Sequence, residues 1–283
     1  GFFLLFVAGH VFMVFATDPL TNLNHMIRGT NDGSWSGALG FAFLFLGAVA
    51  AWLVASPLTL RYPRKIQHLG RAMVGWAYDA MEKMRPVAAY REKDISPYFW
   101  VNGTHPKSPE FLRLLAGNFQ DYRLSVSGEV ESPREFSLQE IRNFPKQEQI
   151  TQNYCIQGWS GIAKWAGVRL GDILRVVRPK PDAKYAVFYS FGMGAGPEAG
   201  PYYDCHKIEH LHQPQTILAY EMNGQPLREP HGAPLRLRNE LELGYKQVKW
   251  VRAIEFVKDF RHLGAGEGGF NEDQEYYGFR API

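Results

Sequence analysis

The chain has 283 residues, among them 19 Phe, 14 Tyr, 7 Trp and two cysteines, and a formal net charge of +3. This length holds one substantial domain plus further elements. The near-balanced charge calls for no nucleic-acid partner, and two cysteines cannot staple a secreted disulfide fold, although they leave the redox compartment open.

The average hydropathy is that of a soluble protein, but it averages two unlike parts. Residues 1–16 form an apolar stretch that starts without an initiator Met. A signal peptide would carry a basic n-region and a small-residue cleavage site, and neither is present. The chain therefore reads as the C-terminal part of a longer membrane protein. From Gly33 to Leu60 no residue is charged, and a spanning helix needs about 20 apolar residues. Two transmembrane helices are expected, over 1–16 and about 36–56, within a membrane region 1–60. Asp18, Pro19, Asn22, Asn24, Asn31, Asp32 and Gly33 mark a loop between them. Arg61, Arg64, Lys65 and Arg71 then form a basic cluster beside a helix end, the mark of a cytoplasmic side.

Residues 61–94 read as a basic amphipathic linker. Its helix carries Met73, Trp76, Ala77, Ala80 and Met84 on one stripe, expected to serve packing, and a polar segment comes after it. From Ile95 to the end the chain reads as a mixed α+β domain. Residues 122–130 alternate like a strand, Ser137 and Glu140 have the spacing of a capping box that opens a short helix, and 184–190 and 248–257 read as strands around a glycine-rich loop at 192–201.

Two patterns carry chemistry. Cys155 stands in Asn153-Tyr-Cys-Ile-Gln-Gly-Trp-Ser160. A lone cysteine is no zinc cage, and by its type alone it is a small buried hydrophobe. If it does chemistry, it is a nucleophile or the single protein ligand to a cofactor that brings its own further ligands, since a thiolate suits a soft or high-valent metal. The second pattern is Tyr220-Glu-Met-Asn-Gly-Gln-Pro-Leu227, then His231-Gly-Ala-Pro-Leu-Arg-Leu237, then Gly244-Tyr-Lys-Gln-Val-Lys-Trp-Val251. Asn223-Gly224 in it is a hairpin turn, and alone His231 and Arg236 would be surface residues.

Together with Tyr98-Phe-Trp-Val-Asn102 and the C-terminal Glu275-Tyr-Tyr-Gly-Phe279, these segments resemble the molybdopterin-binding domain of the sulfite oxidase family, which includes the catalytic subunit of bacterial methionine sulfoxide reductase. The resemblance covers roughly 95–283 and implies a mixed sulfite-oxidase-type α+β fold. It implies Mo-molybdopterin, with Cys155 as the metal's thiolate ligand and catalytic residue. His231 and Arg236 would hold the pterin phosphate, for which a guanidinium fork is suited. Gly244, Tyr245 and Lys246 would add backbone donors and a positive charge. Ser190 and Asn102 would be further pterin contacts. Tyr202, spaced with Pro214 as in sulfite oxidases, would face the metal and bond to an oxo group or relay a proton. Cys205 is expected to be structural, and His206, His210 and His212 to be exposed or capping rather than a metal site.

The sequence also departs from that family. Where sulfite oxidases bind their dianion with arginines, this chain has Val101 before Asn102, and Ile156, Gln157, Gly158 and Trp159 after Cys155. An unpaired buried dianion costs several kcal/mol, so the pocket is expected to favour the reductase branch and a small neutral or weakly polar substrate. The fused second domain of sulfite oxidases is expected to be absent.

His10 within an apolar helix, followed by His25-Met-Ile-Arg-Gly29, resembles the last helix of b-type cytochrome subunits of formate dehydrogenases and hydrogenases. That implies haem b with His10 as ligand; an intramembrane histidine is a functional candidate. The whole then reads as an inner-membrane molybdopterin oxidoreductase that exchanges electrons with the quinone pool and other respiratory subunits. The basic run leans the domain to the cytoplasmic face, whereas the family's usual home lies outside the membrane. A rival reading keeps the fold without turnover, as an interaction subunit of a respiratory complex. A Cys155 nucleophile would need a histidine base that the sequence does not single out.

Overall fold

A computed structural model of the chain describes residues 2–84, 90–195, 200–274, 279 and 281. They divide into two compact units, Gly1–Gly70 and Arg71–Ile283.

The first unit is helical. Helix α1 (Phe2–Ala16) is followed by α2 (Pro19–Arg28) and α3 (Ser36–Arg61). The expected loop at 17–35 contains α2, and its cause is local. The Asp18 side chain caps the Thr21 N–H, Pro19 occupies the first turn, and Gly29 closes the helix in the left-handed region. Asn24, fully buried, fastens α2 to the segment that leads into α3. Its Nδ2 donates to the Asp32 and Ser34 carbonyls at 2.8 and 2.6 Å, and its Oδ1 accepts the Gly37 N–H at 2.6 Å. Of the two expected transmembrane helices, α3 with 26 residues is long and apolar enough to cross a membrane. Within the other expected span, over 1–16, α1 has 15 residues, about 22 Å, and turns by 113° into α2. By length and composition it could contribute to a span only with α2, as one bent pair. The apolar side chains of α1 and α3 face outward, and only Gly37 of α3 is buried.

Helix α4 (Pro63–Met84) carries the linker, and the division into units falls within it. In the second unit α5 (Pro109–Ala116) precedes β1 (Arg123–Gly128), β2 (Arg134–Ser137), α6 (Leu138–Arg142), β3 (Lys146–Tyr154), β4 (Ser160–Arg169) and α7 (Leu170–Val177). Then come β5 (Tyr185–Met193), β6 (Pro201–Lys207), α8 (Ile208–Leu211), β7 (Ile217–Met222), β8 (Gln225–Pro226), β9 (Arg236–Arg238), β10 (Val251–Val257) and α9 (Phe270–Gln274). One sheet has the order β2-β1-β10-β5-β6, with β1 and β10 parallel and the other neighbours antiparallel. The second runs β3-β4-β7-β8, with β9 also on β7, all antiparallel.

The expected strand at 122–130 is β1, the capping box at Ser137 and Glu140 opens α6 with both reciprocal hydrogen bonds made, and Asn223-Gly224 makes the β7–β8 turn with both residues at positive φ. The strand expected at 248–257 starts later, at Val251, because Trp250 has φ 51° and the chain before it belongs to the site. Residues 85–89 of the linker, 196–199 of the glycine-rich loop and 275–278 of the C-terminal segment lie outside the described residues.

One core joins the sheets. Val126, Phe188 and Ile254 of the first meet Trp165, Val168 and Leu218 of the second, with Ile173 and Leu174 of α7. Gly167 in β4 is fixed by space: a Cβ there would run into the carbonyl of Leu218 and the backbone of Ala219 on β7. Gly167→Ala is therefore expected to open the β4–β7 pairing and cost about 3 kcal/mol, read as a lower urea midpoint at unchanged slope.

Candidate active site

Cys155 sits where β3 ends, at the tip of the β3–β4 hairpin. Its N–H donates to the Trp159 carbonyl at 2.9 Å, and the Gly158 N–H donates to its carbonyl at 3.1 Å. Gly158 at φ 86° has open space around it, so the turn needs its backbone freedom rather than its size. The side chain of Cys155 is buried. Asn102 Nδ2–H points at the sulfur at 3.6 Å, and the Gln157 amide oxygen lies 3.8 Å from it while also accepting the Trp159 indole N–H at 3.2 Å.

Asn102 leads to a cluster of basic side chains. Its carbonyl accepts Lys249 Nζ at 2.5 Å, and the same ammonium donates to the Pro230 carbonyl at 3.0 Å and lies 4.0 Å above the Trp250 ring. Ser190 Oγ donates to the Lys249 carbonyl at 2.7 Å and accepts the Gly192 N–H. Arg236, at the start of β9, donates to the His231 carbonyl at 3.1 Å and lies over the Trp165 ring at 4.8 Å. Its Nε is buried with no hydrogen-bond partner among the described residues. Gly232, at φ 110°, permits the convergence: a Cβ there would stand 2.9 Å from Lys249 Cβ and 3.1 Å from Arg236 Cβ. Phe99 packs edge-on against Trp159, Trp165 and His231 at 5.8, 5.5 and 5.9 Å, and so ties the thiol loop to the cationic side.

Among the described residues, no carboxylate forms an ion pair with Arg236 or Lys249. Burial and the Arg238 guanidinium bring the Arg236 pKa down to about 9. Burial, then Arg236, bring Lys249 down to about 7. Burial, with Arg236, Arg228 and Lys249, brings His231 down to about 4, so its imidazole is neutral at pH 7. Neighbouring Arg238 shows the contrast. It also lies over Trp165, but Glu240 takes it with two bonds of 2.9 and 2.7 Å, and Asn153 takes a third at 2.9 Å.

The remaining expected residues form a second group. Gly244 packs where a Cβ would meet Asn153 Nδ2 at 2.9 Å and the Tyr154 carbonyl at 3.0 Å, under the base of the thiol loop. Lys246 is a correction. It is fully buried and donates to Asp204 at 2.6 Å and Glu272 at 2.5 Å; burial opposes its charge, but the two carboxylates outweigh burial and hold its pKa well above the usual lysine value. That charge is neutralised inside the protein, and the positive charge of the pocket is Lys249. The Tyr202 hydroxyl donates to the Tyr245 carbonyl at 2.5 Å and accepts Asn271 Nδ2 at 3.2 Å. Burial, then Asp204, push its pKa well above that of a free phenol, against proton release. His206, expected to be exposed or capping, is buried: Nε2–H donates to the Lys246 carbonyl and Nδ1 accepts Asn239. Cys205 is a free, buried core thiol. His10, in the other unit, contacts the Phe6 carbonyl through Nδ1 at 2.9 Å.

The structure thus brings Cys155, Asn102, Ser190, His231 and Arg236 together. Sequence reasoning missed Lys249, Gly232, Phe99 and Trp165. The Val-Lys-Trp segment was a signal for Lys249, but the choice between two lysines three residues apart required coordinates.

The buried Cys155 thiol is linked through Asn102 to Lys249, and Gly232 brings Lys249 close to Arg236. Among the described residues no cluster of three or more His, Cys, Asp or Glu offers a protein-only metal site. Residues 113–262, just over half of the chain, match the family described as oxidoreductase molybdopterin binding domain, and the chain belongs to that family. Its fold is the mixed α+β fold of the sulfite oxidase type. The chain is 33% identical over 205 residues, 72% of its length and 70% of the other's, to YedZ1 of Azospira oryzae, which carries the name of a protein-methionine-sulfoxide reductase subunit. It is 32% identical over 182 residues to the protein-methionine-sulfoxide reductase catalytic subunit MsrP of Xanthomonas campestris pv. campestris, covering 59% of this chain and 55% of that one. It thus spans about half the length of that relative. Among solved structures it is similar to the sulfane dehydrogenase SoxCD from Paracoccus pantotrophus, at 26% identity and a TM-score of 0.43, covering 50% of this chain and 39% of that one.

Two outcomes are expected from the charges. Unfolded Lys249 keeps its proton to about pH 10.5, whereas folded Lys249 releases it near 7. The folded state then binds fewer protons across that window, so this group makes cofactor-free protein more stable as pH rises from 7 toward 9; Lys249→Met flattens the slope in urea unfolding at the two pH values. Lys246→Met leaves two buried carboxylates unpaired and costs about 3–5 kcal/mol, while Lys249→Met lowers cofactor content in folded protein; unfolding curves and pterin fluorescence separate the two.

Proposed function

We propose that this chain reduces a sulfoxide, with methionine sulfoxide in a peptide or protein as the substrate class, at a molybdopterin centre held by Cys155. The observation that carries the reading is the link from the buried Cys155 thiol, through Asn102, to the unpaired cations Lys249 and Arg236. Bound there, the cofactor supplies two-electron, oxygen-transferring chemistry.

The chain's own residues do the rest. The Cys155 thiolate ligates the metal, and the Asn102 amide N–H faces its sulfur. Arg236 and Lys249 take the pterin phosphate; burial strengthens that pairing, because the cations have no internal competitor. Neutral His231 offers a ring nitrogen to the pterin side, and Ser190 fixes the backbone that carries Lys249. Sulfoxide reduction consumes two electrons and two protons and releases a thioether and water. A neutral substrate fits the thiol's surroundings of Asn102, Ile156, Gln157 and Trp159, which bring no cation for a dianion. Exposed Tyr98, Trp100, Val101 and Ile156 adjoin Asn102 and Cys155 in the chain, and their apolar surface suits a methionine side chain on a polypeptide. The comparison with MsrP supports the same substrate class.

The electron route and the location belong to the same proposal. Helix α3 spans the inner membrane, with Arg61, Arg64, Lys65 and Arg71 leaning the domain to the cytoplasmic face. Quinone would be the electron source, a b haem would supply the one-electron relay, and other respiratory subunits would be partners. His10 is the haem ligand, and the bond of its Nδ1 to the Phe6 carbonyl orients the ring for ligation through the other nitrogen.

Protein made in a host that synthesises the cofactor is expected to contain molybdenum and to reduce methionine sulfoxide in a denatured, oxidised protein. Cys155→Ser loses that activity while keeping its unfolding midpoint. Molybdenum-free protein, full activity in Cys155→Ser, or sulfite oxidation in preference to sulfoxide reduction would each defeat the proposal. An absorption spectrum without b haem would defeat the electron route alone, and protease protection in oriented vesicles reads the sidedness.

A further inference from the structure

Helix α4 distributes its residues in an unexpected way. Ile66, Leu69, Met73 and Trp76 succeed one another at spacings of three and four and so share a face. This apolar face is the exposed one, with Leu69 59%, Met73 68% and Trp76 73% accessible. The stripe of Arg64, Gln67 and Arg71 is half-buried, and each of these residues is engaged in a contact. A helix on a water-facing domain shows the inverse, apolar side inward and charged side outward. Met73 and Trp76, read from sequence as packing surface, therefore lack a packing partner among the described residues.

Three further observations identify what covers it. Helix α4 starts one residue after α3, the helix long and apolar enough to cross a membrane, so its first turn lies where a span leaves the hydrocarbon. Tyr62, at that junction, has Arg61 and Lys65 over its ring at 5.5 and 5.3 Å; an aromatic ring with flanking cations is the composition of a headgroup anchor. The Trp76 indole N–H donates to the Met73 carbonyl of its own helix at 3.0 Å, so the ring can enter an apolar phase without an unsatisfied donor.

We propose that α4 lies along the membrane–water interface, with the face of Ile66, Leu69, Met73 and Trp76 against the acyl–headgroup boundary of the lipid bilayer and Arg61 and Lys65 at its phosphates. The proposal rests on the reading of α3 as a span. Its 22 residues would extend about 33 Å along the surface, setting where the chain leaves the membrane on its way to the oxidoreductase domain. Such a helix binds through its apolar area and its attraction to anionic lipid.

The test uses the full chain in nanodiscs of phosphatidylethanolamine and phosphatidylglycerol. Single nitroxide labels are placed at Leu69→Cys and Met73→Cys on the apolar face, His68→Cys on the other face and Gly47→Cys within α3. The unsubstituted chain, whose Cys155 and Cys205 are buried, gives the background. Power saturation with oxygen and with a water-soluble nickel chelate reads the phase around each label. The expected ratio of oxygen to nickel accessibility is several-fold higher at 69 and 73 than at 68, and highest at 47. Labels at 69 and 73 as nickel-accessible as that at 68 would overturn the proposal. So would labels shielded from both reagents, which would mean a protein partner covers the face. A nickel-accessible label at 47 would instead show that the span itself is wrong, a separate failure.

Discussion

The site depends on a buried guanidinium that the protein does not neutralise. Arg236 and Arg238 are two residues apart, both buried, and both lie over Trp165. Glu240 neutralises Arg238 and makes it part of the framework. Arg236 has a backbone carbonyl and an aromatic face but, among the described residues, no carboxylate. Leaving a buried cation in that state costs stability, and an anionic ligand removes the cost. The surrounding structure holds this arrangement in place: Gly232 brings Lys249 to the same spot, Phe99 ties it to the thiol loop, and burial keeps His231 neutral so that it adds no third charge.

Lys246 and Lys249 show how position assigns chemistry to identical side chains. Lys246 lies in the short 3-10 turn Gly244–Lys246 and points into a closed group of two carboxylates. Three residues on, Lys249 meets two carbonyl oxygens and the Trp250 ring. One ammonium stabilises the fold and the other remains available to a ligand. Tyr202, anchored to the Tyr245 backbone, belongs with Lys246. The residues expected to act together thus divide into a group linked to Cys155 and a group linked to Lys246.

The helical part of the chain obeys the same division between local and global cause. The capping of α2 by Asp18, Pro19 and Gly29 is written in adjacent residues, yet that segment reads as a loop because its turn-forming residues are also cap-forming residues. The exposed apolar side of α4 is the reverse case. Its period is plain in the sequence, but the direction it faces is a property of what surrounds the helix.

The sequence alone determined the features set by order and spacing. These are the apolar run that becomes α3, the capping box of α6, the Asn223-Gly224 turn, the mixed α+β domain and the family resemblance centred on Cys155, with Asn102, Ser190, His231 and Arg236 as its companions. Each is legible because a short segment or a string of ordered segments carries the cause. Only the tertiary structure decided that Lys246 meets two carboxylates while Lys249 meets carbonyl oxygens and a ring, that the Tyr202 hydroxyl is held by the Tyr245 backbone, and that Gly232, Phe99 and Trp165 pack around Lys249, His231 and Arg236. Those outcomes depend on whether a charge meets a carboxylate across more than 20 residues of chain. Sequence spacing says nothing about that, because the pairing is made between strands and turns that only folding brings side by side.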